Sequence, residues 1–266
     1  VFNPYQHTIP LFRYGARFPH LEGTGVFIAV DKHRFVFTAA HVVEPSSHNF
    51  AFGYPNPATR QVEMFGHSHI PMISAAAQAG AGTKRAIYKD ALDLAVLVLQ
   101  PEFSQWLESR YIPYDLRKNR PRSAAAVVSI CGWPESKNRV NETKSRFDDD
   151  FGCRHIQTQA VLKAETRLIG GDPEIHFAVR MDKRRDFIYQ ESGAPVPQLF
   201  SLSGMSGCGV WDLDMGASER FPACATALAG ILVEDCSSKN LAKVIRARHL
   251  WSPLAQNLNL HPGSNP

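Results

Sequence analysis

The apolar residues of this chain come in short runs, too brief for long helices and rich in β-branched and aromatic side chains. GVFIAV (25–30), RFVFTAA (34–40), LDLAVLVL (92–99), AAAVVSICGW (124–133), HFAVRM (176–181), GVWDL (209–213), ALAGILVED (227–235) and AKVIRAR (242–248) are the clearest, most of them bounded by turn-forming residues. Such runs read as strands, and many strands with few helices make an all-β sandwich or barrel. GVFIAVDKHRFVFTAA predicts a hairpin turning at Asp31 to His33. No alternation of strand and long helix is present, which argues against a doubly wound α/β fold.

At 266 residues, 44% hydrophobic and 20% charged, the chain can bury one large domain or two closely packed halves. The polar, proline-bearing stretch RYIPYDLRKNRPRS (110–123) is the natural divide, giving an expected first half over residues 1–115 and a second over 116–266. HLWSPLAQNLNL (249–260) has the spacing of a short terminal helix. Residues 135–173, polar and carrying DDD at 148–150, are expected to form long loops.

The formal charge of +4 comes from 29 basic and 25 acidic residues, and its densest runs, RKNRPR (117–122) and DKRRD (182–186), read as solvated loops. No dedicated nucleic-acid surface follows, and no run approaches the roughly 18 apolar residues of a membrane span. The N-terminus lacks the plan of a signal peptide. Five cysteines (Cys131, Cys153, Cys208, Cys224 and Cys236), odd in number and without a CxxC pair, fit free thiols in a reducing cytoplasm. Because the chain begins with Val1 rather than Met, a secreted or periplasmic setting stays open. The HSH (67–69) and CRH (153–155) triplets lack a second ligand pair and read as loop histidines, so no metal is expected.

Three motifs carry chemistry. In FTAAHVV (37–43), His41 ends an apolar strand; in KDALDLAVLVL (89–99), Asp93 stands at the mouth of another, with Asp90 outside the apolar alternation; in GMSG (204–207), Ser206 lies between glycines. Singly these suit a structural histidine, a turn carboxylate and a glycine-rich turn. A G-x-S-x-G elbow of the α/β-hydrolase kind is not matched, because Cys208 occupies the second glycine position and no acid and histidine follow suitably.

Taken together, in the order His, Asp, Ser, the motifs resemble those of the trypsin-like (chymotrypsin-fold) serine proteases, whose histidine follows TAAH, whose aspartate opens a D-hydrophobic-A-hydrophobic-L strand and whose serine lies in GxSG. The resemblance spans roughly residues 18 to 260. It implies two six-stranded antiparallel β-barrels with a short C-terminal helix, His41 and Asp93 in the first half and Ser206 in the second. It implies, further, a serine endopeptidase that needs no cofactor and acts on polypeptides. A neutral imidazole at His41 takes the proton of Ser206 as it attacks, Asp93 holds the ring, and the N–H groups of Gly204 and Ser206 stabilise the oxyanion.

Departures from the family pattern carry information. Met205 stands where activated digestive members have the aspartate that receives their new N-terminus, so the chain looks closer to the non-zymogen branches, bacterial HtrA-type or viral. Such proteins are either constitutively competent or ordered by a ligand, an activating protein partner or an additional domain. The alternative class is therefore a protease-like binding or scaffold protein whose site is ordered only by a partner. Cys208 reads as a small buried hydrophobe. The family's pocket floor falls on Phe200, and the strand that pairs with substrate brings Val233, Glu234 and Asp235 to the groove. Phe200 suggests a shallow or apolar pocket, while Glu234 and Asp235 either attract a basic side chain or are solvated strand-end charges.

Overall fold

A computed structural model describes residues 3–14, 19–43, 50–56, 58–59, 61–66, 72–74, 92–121, 127–135, 140–141, 146–147, 152–160, 163–181, 187–190, 202–213, 225–251 and 254. Two large sheets dominate. The first comprises β1 (Thr8–Tyr14), β2 (Pro19–Val30), β3 (His33–Ala39), β4 (Phe50–Asn56), β5 (Gln61–Gly66), β6 (Met72–Ser74), β7 (Leu94–Val98) and β8 (Tyr114–Asp115). Its antiparallel order is β5-β4-β1-β2-β3-β7-β6, with the two-residue β8 added in parallel against β2.

The second sheet follows in sequence, built from β9 (Val127–Gly132), β12 (Arg154–Gln159), β13 (His176–Arg180), β14 (Phe187–Gln190), β15 (Gly209–Leu213), β16 (Ala225–Cys236) and β17 (Leu241–Arg246). A small separate hairpin pairs β10 (Val140–Asn141) with β11 (Arg146–Phe147). The order β13-β17-β16-β15-β9-β12-β14 is wholly antiparallel, and a bridge from Ala160 to Val179 ties the segment after β12 back to β13 and curls the sheet. Among the described residues there are three short α-helices: α1 (Ala40–Val43), α2 (Pro101–Glu108) and α3 (Lys163–Leu168). The expected terminal helix lies largely outside the described residues, with Trp251 and Leu254 helical.

The architecture is the chymotrypsin-like double barrel, its two sheets having eight and seven strands among the described residues where six in each are expected. The hairpin in GVFIAVDKHRFVFTAA turns as expected, Val30 pairing with His33, and Asp31 takes a left-handed φ of 53° that a short polar side chain tolerates. β2 and β3 read as continuous apolar runs because both of their faces are covered, β3 also packing on β16 of the second sheet. One apolar cluster runs from Phe12, Phe27 and Phe37 of the first sheet into Trp133, Trp211 and Ile231 of the second, while Ile130, Met205, Cys208 and Val244 belong to a core of the second sheet alone.

One expectation is overturned. Residues 135–173 are not simply loops: they supply β12, paired over six positions with β9, and α3. CRH is accordingly no loop. Cys153, Arg154 and His155 are buried, and His155 shares a 2.6 Å hydrogen bond with Ser129 across the strands. His155 reaches the interior here because Ser129 satisfies it, and polar residues of this kind hide the strand from a hydrophobicity pattern. HSH falls outside the described residues.

Candidate active site

The register of β3 with β7 brings the first two candidates together. Ala39 pairs with Leu94, so the residues just beyond, Ala40 and Asp93, meet at the end of the strand pair. There β3 passes into α1, whose first N–H groups need acceptors. Asp93 supplies them from a left-handed backbone (φ 38°): its carbonyl accepts the Ala40 N–H at 2.9 Å and its Oδ1 accepts the His41 N–H at 3.1 Å. The second carboxylate oxygen, Oδ2, lies 2.7 Å from His41 Nδ1. Asp93 therefore fixes the His41 ring from two directions. With Nδ1 carrying the proton toward the carboxylate, Nε2 is left as the basic nitrogen. The His41 and Asp93 side chains are 32% and 22% exposed, open enough for a substrate to reach.

Ser206 sits in the tight turn before β15, between glycines at φ 82° (Gly204) and 87° (Gly207). From Ser203 to Gly207 the peptide planes alternate in how they are held. The Ser203 carbonyl accepts the Glu135 N–H at 2.7 Å, while the other end of that peptide, the Gly204 N–H, donates to no acceptor among the described residues. The next plane is held at both ends, its Gly204 carbonyl by the Thr24 hydroxyl (2.9 Å) and its Met205 N–H by the Leu202 carbonyl (2.8 Å).

The Met205 carbonyl accepts the Cys208 N–H at 3.0 Å, and the Ser206 N–H, like that of Gly204, has no acceptor among the described residues. The fourth plane is held at both ends again, Thr24 N–H to the Ser206 carbonyl at 2.9 Å and Gly207 N–H to the Leu232 carbonyl at 2.7 Å. Because C=O and N–H point oppositely in a trans peptide, anchoring the Ser203 and Met205 carbonyls turns the Gly204 and Ser206 N–H groups away from the protein's own acceptors. Two open donors, two residues apart and beside a hydroxyl, can stabilise a developing oxyanion.

The two halves of the site meet through Gly23. A Cβ there would stand 2.7 Å from both methyls of Val42 and 2.9 Å from the Ser206 carbonyl, so the neighbour of His41 and the serine turn close on the same glycine. Among the described residues no hydrogen bond joins His41 to Ser206. Met205 is fully buried in the second core, where it packs near Gly132. Cys208 is buried beside it, and burial, reinforced by the nearby Cys131, pushes its thiol well above the ordinary range, so it is an inert packing residue.

Carboxylates flank the turn. Glu135 accepts the Ser203 hydroxyl as well as donating its own N–H, His20 reaches both Glu22 (3.3 Å) and Glu135 (3.4 Å), and Arg13 pairs with Glu22 at 2.7 Å. The strand that receives Gly207 and Cys208, through the Leu232 main chain, continues into Val233, Glu234 and Asp235. Val233 is buried at a β-bulge, Glu234 and Asp235 are exposed, and Glu234 is ion-paired with Lys243. Glu234 and Asp235, but not Val233, line a cavity of about 350 Å³ together with Leu168, Gly170 and Lys239. Phe200 falls outside the described residues. No group of three or more His, Cys, Asp or Glu side chains among the described residues is placed to hold a metal ion, and the four described cysteines are free thiols.

Sequence reasoning missed Thr24 and Glu135, which both hold carbonyls of the serine turn. The signal for the first was G-T-G at residues 23–25, where small residues in a strand mark a close approach of another backbone.

No protein-family model matches this sequence, and a search of curated proteins finds no match. Solved structures match in shape. The VesB protease of Vibrio cholerae superposes with a TM-score of 0.52 at 12% identity over 96% of this chain, which spans 64% of the VesB chain. A mutant of human heparin binding protein gives 0.54 at 13% identity, with 100% of this chain and 97% of that one covered. The scabies mite inactivated protease paralogue S-D1 gives 0.52 at 11% identity, covering 96% and 93%. These neighbours share the trypsin-like serine protease fold, and at such identities the likeness is one of fold.

Proposed function

We propose that this protein is a serine endopeptidase that cleaves peptide bonds through an acyl-enzyme on Ser206. One observation carries the reading: a histidine held by a carboxylate and a serine turn with two open N–H donors close on the same glycine, Gly23. In the proposed reaction His41 Nε2 takes the Ser206 proton as Oγ attacks the carbonyl carbon, and returns it to the leaving amine. Asp93 keeps the ring in the right tautomer and stabilises the imidazolium. Gly204 and Ser206 N–H groups receive the negative charge that forms on the carbonyl oxygen. An extended substrate pairs with the main chain of β16 beside Val233, Glu234 and Asp235, with Phe200 at the pocket floor.

The non-zymogen character of the site is part of the proposal. Met205 is anchored by burial in an apolar core instead of by an ion pair, which favours a turn that needs no new N-terminal charge. The test is Ser206→Ala, expected to lower turnover of a cleavable peptide on the order of 10⁶-fold and to abolish labelling by a fluorophosphonate. Labelling that persists in the mutant refutes the assignment.

A second reading, a protease-like binding or scaffold protein ordered only by a partner, draws on the absence of a Ser206–His41 hydrogen bond among the described residues. Two of the structural neighbours are a mutant of a heparin binding protein and an inactivated protease paralogue. Labelling with and without cell extract separates the readings: a gated protease labels only with extract, a scaffold never.

A further inference from the structure

We propose that Thr24 is a positioning residue for the reaction proposed above, its hydroxyl holding the peptide that separates the two oxyanion donors. The inference rests on the serine-peptidase reading of Ser206.

Thr24 is fully buried in β2 and makes these four hydrogen bonds among the described residues. Its Oγ1 accepts the Trp133 N–H at 3.0 Å and donates to the Gly204 carbonyl at 2.9 Å. Because the Trp133 N–H takes a lone pair, the direction of the hydroxyl proton toward Gly204 is set. Its main-chain N–H holds the Ser206 carbonyl at 2.9 Å, and its carbonyl accepts the Thr38 hydroxyl at 2.8 Å. One residue of the first sheet therefore holds the carbonyls of Gly204 and Ser206 in the serine turn, and is itself tied to β3 at Thr38, three residues before His41.

The hydroxyl is the part that a strand residue need not have. Without it, the Gly204–Met205 peptide keeps its Met205 N–H bond but loses its carbonyl anchor. Gly204, at φ 82° and without a side chain, offers little resistance to rotation. The segment between the donors then turns, and the Gly204 and Ser206 N–H groups no longer converge on one oxygen. The His41–Asp93 pair is untouched.

The experiment measures the rate constant of fluorophosphonate labelling for the wild type, Thr24→Ser, Thr24→Val and Ser206→Ala, with a thermal melt of each. In labelling, Ser206 Oγ attacks phosphorus, its proton passes to His41, fluoride leaves, and the phosphoryl oxygen occupies the position of the oxyanion. Thr24→Ser, which keeps the hydroxyl, is expected within about 3-fold of wild type, and Thr24→Val about 10- to 100-fold slower. The pH at which labelling is half-maximal is expected to stay unchanged in both. A folded Thr24→Val that labels at the wild-type rate overturns the proposal, as does a Thr24→Ser as slow as Thr24→Val or a shifted pH profile.

If Thr24→Val does not fold, Thr24→Cys, which keeps the size with a weaker donor, takes its place, and labelling at the wild-type rate overturns the proposal equally. A wild type that never labels at Ser206 removes the peptidase reading and this inference with it. Normal labelling of Thr24→Val beside a reactive wild type removes this inference alone.

Discussion

Gly207→Ala tests how the second sheet's serine turn is seated on the first. Gly207 sits at φ 87°, a left-handed conformation that costs an alanine about 1–2 kcal/mol. Its new Cβ would lie 2.1 Å from both the Thr24 carbonyl and the Thr38 hydroxyl, and 2.9 Å from the Ala39 nitrogen. Ordinary van der Waals contact requires about 1 Å more, and two of the three obstructing atoms are backbone. Moving the turn out breaks the Gly207 N–H bond to Leu232 or the Thr24 N–H bond to Ser206, each worth about 1 kcal/mol.

Together the loss is about 2–3 kcal/mol, which in a chain of this size lowers Tm by about 4–12 °C. A displacement of about 1 Å at a nucleophile also costs about 100-fold in rate. Circular dichroism melts report the first effect, and fluorophosphonate labelling at a temperature where both proteins are folded reports the second. A variant that melts within about 2 °C of wild type and labels at the same rate refutes the seating of Gly207 on β2 and β3.

Two further predictions concern side chains on either side of the molecule. Asp93→Asn keeps an acceptor for the His41 main-chain N–H but presents an NH₂ to Nδ1, so the ring adopts the wrong tautomer; peptide turnover is expected to fall about 10⁴-fold with little change in Tm. His7 is buried, and burial lowers its pKa to about 4, partly offset by its hydrogen bond to the Ile112 carbonyl (2.5 Å). The unfolded chain takes up that proton near pH 6.5 and the folded one does not, so its stabilising contribution is complete above pH 6.5 and fades toward pH 4, by about 3 kcal/mol in all. His7→Asn should flatten that part of the pH dependence of the urea midpoint; an unaltered slope shows that other groups carry it.

The sequence made the all-β character legible because most strands are covered on both faces, so GVFIAV and RFVFTAA appear as unbroken apolar runs with a turn between them. β12 was illegible for the opposite reason. RHIQTQ carries buried His155 and Thr158, and nothing local announces that Ser129 and the Arg180 carbonyl across the sheet will satisfy them. In the site, the residues with distinctive chemistry could be named from motif order, and the strand register accounts for the meeting of His41 with Asp93. G-T-G marks a close approach at Thr24, but what it and Glu135 hold could not be named, since both act on main-chain carbonyls of a turn more than 60 residues away in sequence. A carbonyl's need for an anchor leaves no trace in the identity of the residue that bears it.

The most direct test of the central claim is to treat the folded protein with a fluorophosphonate, with and without cell extract, and locate the adduct by intact mass and peptide mapping. The account predicts one adduct per chain, on Ser206, absent from Ser206→Ala and strongly slowed in His41→Ala. No adduct under either condition, or one that survives Ser206→Ala, contradicts it.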